Sequence, residues 1–297
     1  MSSTSLSNQA SKGIRAAQTG LIVNLALVMV KLVGGIAGHS HALIADAVES
    51  SIDIVSSAIV WVGLRITARP ADDDFPYGYG KAETLAAVAV SMMLLLASLG
   101  IATAALREIF VPHHLPAPFT LALIPVVIVV KELLFRRVAR IGNETGSLAV
   151  AADAWHHRSD ALTSAAAFIG ISIALLGGPG WASADAWAAL AAAVVIAVNG
   201  VLLLRPTVDN LMDRMPQGPE IARILKAAES VEGVEATEKL RVRKLGANYF
   251  VDLHVQADPS LPLIDAHILS GKVKGAIREA VPNVAGVLIH MEPYDEP

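Results

Sequence analysis

The sequence contains no cysteine, only 5% aromatic residues and only 17% charged ones. Without cysteine there are no disulfides and no thiolate metal sites, so any metal this chain holds is held by His, Asp and Glu; the redox compartment stays open. The formal net charge is −4 and there is no long basic run, which excludes the electrostatic footprint of a nucleic-acid binder. The polar start MSSTSLSNQASKGIR lacks a short apolar stretch before a small-residue cleavage site, so the first hydrophobic segment is expected to be a retained helix. No HExxH occurs and no nucleophile has a neighbouring base, so an enzyme is not expected.

Apolar residues are plentiful. They make up 54% of the 297 residues, and the mean hydropathy is +0.55, well above that of a soluble domain. Crossing about 30 Å of hydrocarbon takes roughly 20 residues of helix. Six runs qualify: Ala17 to Ala37, Ala42 to Ile66, Leu85 to Ala105, Leu121 to Val138, Leu148 to Leu176 and Ala186 to Leu204. Lys12 and Arg15, then Arg65, Arg69 and Lys81, then Arg136, Arg137 and Arg140, then Arg205 fall on one side of these runs, with Arg107 the exception. The positive-inside rule then places both termini in the cytoplasm of a multi-pass protein of the cell (inner) membrane.

After Arg205 the pattern changes. PQGPEIARILKAAESV reads as an amphipathic helix, LRVRKLGANYFVDLHVQ as two strands around the turn LGAN, PLIDAHILSGKVKGAIREAV as a second helix and AGVLIHME as a last strand. The expected fold is an α-helical membrane protein with six transmembrane helices, residues 1–210, followed by a small cytoplasmic αββαβ domain, residues 211–297.

The fifth run holds ADAWHHRSD, an improbable stretch for hydrocarbon unless its charges have partners, water or a task. His156 and Asp160 are four residues apart, as are Glu49 and Asp53 in the second run. Residues at i and i+4 share a helical face about 6 Å apart, so two facing helices offer one nitrogen and three carboxylates to a common point. That is a suitable set for a divalent first-row metal. Such ligands bind metal only when deprotonated, so metal and protons compete for the same atoms. His157 and Arg158 fall off this face and suit a charge pair or polar cavity. Lys31 and Lys131 suit snorkelling, or pairing with acids such as Glu132.

In order along the chain, ESSID, RPADDDFPYGYGKAE, ADAWHHRSD, LMDRMP and IHMEP resemble the cation diffusion facilitators, a family of divalent-metal/proton antiporters. The resemblance runs from the first helix to His290. It implies a transport site at Glu49, Asp53, His156 and Asp160, with Glu49 standing where the family usually has Asp or His. It implies a homodimer with cytoplasmic, metallochaperone-like domains that bind metal at His254, His267, His290 and Glu292, with Glu238 at a position often held by His. It implies a charge pair between Lys81 and Asp213. Some relatives bind a further metal in the loop after the second helix; here the corresponding His positions are Phe75 and Tyr79, beside Asp72, Asp73 and Asp74, so no tight site is expected. His39, His41, His113 and His114 fall in external loops.

The expected function is export of Zn2+ or Fe2+ from the cytosol in exchange for protons, with the metal also a candidate regulatory ligand. The alternatives are a membrane-tethered metal sensor, or an exporter of Mn2+, Co2+ or Cd2+ on the same fold. Paired ligands inside two helices favour transport, because a sensor does not need them.

Overall fold

The computed structural model describes residues 3–37, 41–110, 120–178, 181 and 183–294, although within the helices some side chains, among them those of Glu49 and Asp53, lie outside the description. Six long helices come first: α1 Ser3–Ala37, α2 His41–Thr67, α3 Lys81–Phe110, α4 Thr120–Thr145, α5 Leu148–Gly177 and α6 Ala184–Leu211. They are followed by α7 Pro219–Glu229, β1 Ala236–Leu245, β2 Asn248–Ala257, α8 Leu263–Ala280 and β3 Val284–Pro293. The helices overrun the apolar segments: α1 begins fourteen residues before Ala17, because a helix satisfies its own backbone whether its side chains face lipid or water. Among the described residues, Lys81–Phe110 and Ala186–Leu211 are long and apolar enough by composition alone to cross a membrane. Charged side chains within α4 and α5 lower their hydropathy.

The chain forms two compact units, residues 9–69 with 82–208, and residues 70–81 with 209–297 and 1–8. In the first, alanines let the helices approach closely. Ala16 and Ala17 of α1, Val60 and Leu64 of α2, Ala86, Ala87 and Val90 of α3, Leu134 and Val138 of α4 and Ala149, Val150, Ala152 and Ala154 of α5 build one core. Along α1, Gly13, Ala16, Ala17, Gly20, Asn24 and Val28 are buried at helical spacing, while Ile22, Leu25, Met29 and Val33 stay exposed as a lipid-facing stripe.

In the second unit β2 is central, antiparallel to β1 and parallel to β3. The β1–β2 turn has Gly246 at φ 58, as a tight two-residue hairpin turn requires at its first position. Val251, Leu253, Val255 and Ala257 alternate inward along β2 and pack with Ile224 of α7 and Val273 and Ile277 of α8. Asp252, His254 and Gln256 therefore take the opposite face. A bulge between Glu238 and Arg241 interrupts β1, with Lys239 at φ 49.

Candidate metal centres

Within the first unit, α5 is buried on nearly all sides around its polar stretch. Asp153 and His157 are fully buried, and His156 is 6% exposed. Lys131 Nζ of α4 donates to Asp160 Oδ2 at 2.8 Å and to Asn24 Oδ1 at 3.1 Å. Asn24 Nδ2 donates to Ser57 Oγ at 3.2 Å, and Ser57 Oγ donates to Asp153 Oδ1 at 3.3 Å. His157 Nε2 stands 3.6 Å from Asp153 Oδ2. A relay of donors thus crosses α4, α1, α2 and α5 and ends on the buried Asp153 carboxylate, while its source, the ammonium, also holds Asp160. Gly20 makes room for it: a Cβ there would lie 3.2 Å from His157 Nε2 and 3.6 Å from Ser57 Oγ.

Lys131 pairs with Asp160 and not with its neighbour Glu132. Consecutive helical residues point about 100° apart and do not face each other, and Glu132 instead holds Arg136 one turn on, at 2.7 Å. Arg158 stacks its guanidinium over the Phe135 and Trp155 rings, 4.6 and 5.2 Å from their centroids. Glu49 and Asp53 are on α2, but their side chains lie outside the described residues, as do those of Lys31 and His41 and the whole of His39, His113 and His114. The sequence reading missed Asn24, Ser57 and Asp153. Ser57 follows Asp53 by four residues and Asp153 precedes Asp160 by seven, so both stand on the stripes that carry the expected ligands.

On the open face of the sheet, Glu238, His254 and His290 occupy one cross-strand row. Ligand atoms of His254, His290 and Glu292 all lie within 4.8 Å of one another. His254 Nδ1 is 2.6 Å and His290 Nε2 3.6 Å from Glu292 Oε1. The His254 hydrogen bond foremost, then that of Glu238, holds the Glu292 carboxyl down at about 2. The bulge puts the Lys239 ammonium beside both carboxylates, 3.5 Å from Glu292 Oε1, and the hydrogen bond to Glu238 in turn raises the lysine. His267 is exposed on α8 and is not one of the three clustered residues.

Lys81 Nζ lies 2.6 Å from Asp213 Oδ1 and also donates to the carbonyls of Asn210 and Leu211. Asp72 accepts from the backbone N–H of Phe75 and from the Tyr79 hydroxyl, so this carboxylate shapes its own loop. Further along the loop, Tyr77 lies edge-on to Phe250 and beneath Arg243.

The cation efflux transmembrane domain model matches residues 17–212, and the model of the cytoplasmic domain of cation efflux proteins matches residues 216–294. The chain belongs to the cation diffusion facilitator family. It is 32% identical over 287 residues, 95% of this chain and 96% of the other, to the manganese efflux system protein MneP of Bacillus subtilis. It is 28% identical to the magnetosome protein MamB of Paramagnetospirillum magneticum, over 91% of this chain and 90% of that one. It is 32% identical to the cation-efflux pump FieF of Serratia proteamaculans, over 90% and 88%. A solved MamM CTD variant aligns with 26% of this chain and 94% of its own, at 25% identity and a TM-score of 0.26. As a member of the family the chain is an integral membrane protein with a six-helix membrane domain and an αββαβ cytoplasmic domain of the dimerising type, and it moves divalent metal cations out.

Proposed function

We propose that this cation diffusion facilitator exports Zn2+ or Fe2+ from the cytosol in exchange for protons, through a site made of Glu49, Asp53, His156 and Asp160. The Ser57–Asp153 hydrogen bond carries the reading. Six helices that cross in alternation make α2 and α5 antiparallel. From Ser57, one turn back along α2 reaches Asp53 after about 6 Å and Glu49 after about 12 Å; from Asp153, α5 reaches His156 after about 4.5 Å and Asp160 after about 10.5 Å. The two pairs therefore climb in step, each level within about 1.5 Å of its partner.

Both termini are assigned to the cytoplasm of the inner membrane, with residues 1–210 as the membrane domain and 211–297 as the cytoplasmic domain. Two copies form a homodimer through the latter. Metal at His254, His290 and Glu292, assisted by Glu238 and His267, draws the two domains together as cytosolic metal rises, while Lys81 and Asp213 secure the junction. At the transport site, protons and metal take the same oxygens and nitrogen, so a site that has delivered its metal is discharged by protonation before it turns back.

Mn2+ is the second reading for the substrate. Three carboxylates to one imidazole is an oxygen-rich set that suits this ion, and a 32% identical relative is a manganese efflux protein. Proteoliposomes loaded with a pH indicator decide both questions. Uptake of one metal from a panel of Zn2+, Fe2+ and Mn2+, with proton movement in the opposite direction, is expected; uptake without any pH change rejects the exchange.

A further inference from the structure

We propose that Lys131 is a tethered cation at the transport site, which sets the charge that an incoming ion must displace and so selects for dications. This rests on Asp160 being a metal ligand. The lysine side chain is 4% exposed and Asp160 25%, and the ammonium sits at hydrogen-bond distance from one carboxylate oxygen. It is not a stray surface pair. Lys131 is steered from the other side by Asn24, whose own amide is fixed by Ser57. Among the described side chains, acceptors on two different helices, α1 and α5, therefore hold the ammonium at a defined point.

Counting charges shows what this does. Glu49, Asp53 and Asp160 bring three negative charges and His156 none when neutral, so a dication alone leaves the loaded site one charge short of neutrality. With Lys131 the sum is zero. The empty site carries −2 with Lys131 and −3 without it, and uncompensated charge away from water is costly, so the ammonium weakens the pull on an incoming cation while leaving the dication-loaded site neutral. The same ammonium discriminates against monovalent ions. Na+ or K+ replacing Lys131 at Asp160 brings no more charge than the group it displaces, whereas a dication brings twice as much. Lys131 also keeps the metal from being held too tightly, because it remains nearby through Asn24 to reclaim Asp160 as the metal leaves.

The test uses the full chain in proteoliposomes and whichever of Zn2+, Fe2+ and Mn2+ the wild type accumulates. Lys131→Met keeps the length and removes the charge. KM is expected to fall tenfold or more and kcat to fall with it, since the metal leaves a more negative site more slowly. A packing role alone would lower the amount of folded protein without moving KM. Should Lys131→Met not yield monodisperse protein, Asn24→Asp serves instead: it gives the ammonium a further carboxylate, loosens its hold on Asp160 and is expected to lower KM in the same direction. An unchanged KM in the variant measured overturns the proposal. Asp160→Asn separates this from the underlying reading: wild-type transport in that variant removes the site itself, while its inactivity beside an unchanged KM in Lys131→Met removes only the lysine.

Discussion

The Ser57 hydroxyl donates to Asp153 Oδ1 across the α2–α5 contact, at 3.3 Å and with both side chains fully buried. Ser57→Val keeps the volume approximately and deletes the donor, leaving a buried carboxylate short of one hydrogen bond. Such a loss costs about 1–3 kcal/mol. Thermal unfolding in detergent should shift down accordingly, and the initial rate of metal uptake should drop because the two ligand pairs lose their common level. Unchanged unfolding and uptake would show that the register is held by something other than this bond.

Asp53→Ala and Asp160→Ala are both expected to abolish transport, and Asp160→Ala should also lower stability. Asp160 is the partner of a buried ammonium. Removing one member of a buried pair weakens what compensates the other, at a cost of up to about 3–5 kcal/mol. Asp160→Ala should therefore unfold at a lower temperature, and adding Lys131→Met to it should recover most of the loss without restoring transport. Additive losses in the double variant would mean that the two residues are not coupled.

The architecture was legible because its signals are long. Six apolar runs and the period-two alternation from Val251 to Ala257 each extend over many residues. The spacing of the proposed ligands was likewise a local signal, since i,i+4 residues on one helix share a face. What stayed hidden were contacts between helices. Asn24 lies in an otherwise apolar run, Ser57 is one of several serines on α2, and Lys131 has an acidic neighbour in sequence that it does not touch. Nothing local says that these three meet. The Lys239 bulge was hidden for another reason: only strand pairing reveals that one partner has extra residues.

Glu49 has one methylene more than aspartate, which extends the reach of its carboxylate by about 1.5 Å. Glu49→Asp should change the preference among Zn2+, Fe2+ and Mn2+ more than the maximal rate, because it alters the size of the cage and not its charge. Uptake ratios measured for the three ions in parallel test this. Identical ratios in variant and wild type would exclude Glu49 from contact with the metal.

The cytoplasmic cluster has a pH signature that can be read without transport. In the folded domain the Glu292 carboxyl is held at about 2, against an ordinary 4.5, chiefly by the His254 hydrogen bond. Its folded value is depressed, so the associated stability is fully present above about 4.5 and is lost as the pH falls through about 2. Calorimetric unfolding of residues 216–297, which carry their own apolar core, should show a melting temperature that declines across this window, and Glu292→Gln should flatten the decline. Divalent metal acts on the same atoms in the opposite sense. It takes Glu292 from His254 and Lys239, and it requires imidazoles without their extra proton, so the rise in melting temperature that it causes should be larger at pH 7 than at pH 5 and absent in His290→Ala. No rise with Zn2+, Fe2+, Mn2+ or Cd2+ at pH 7 would assign His254, His290 and Glu292 to a hydrogen-bonded cluster that stabilises the open face of the sheet and leaves regulation by metal to the membrane site alone.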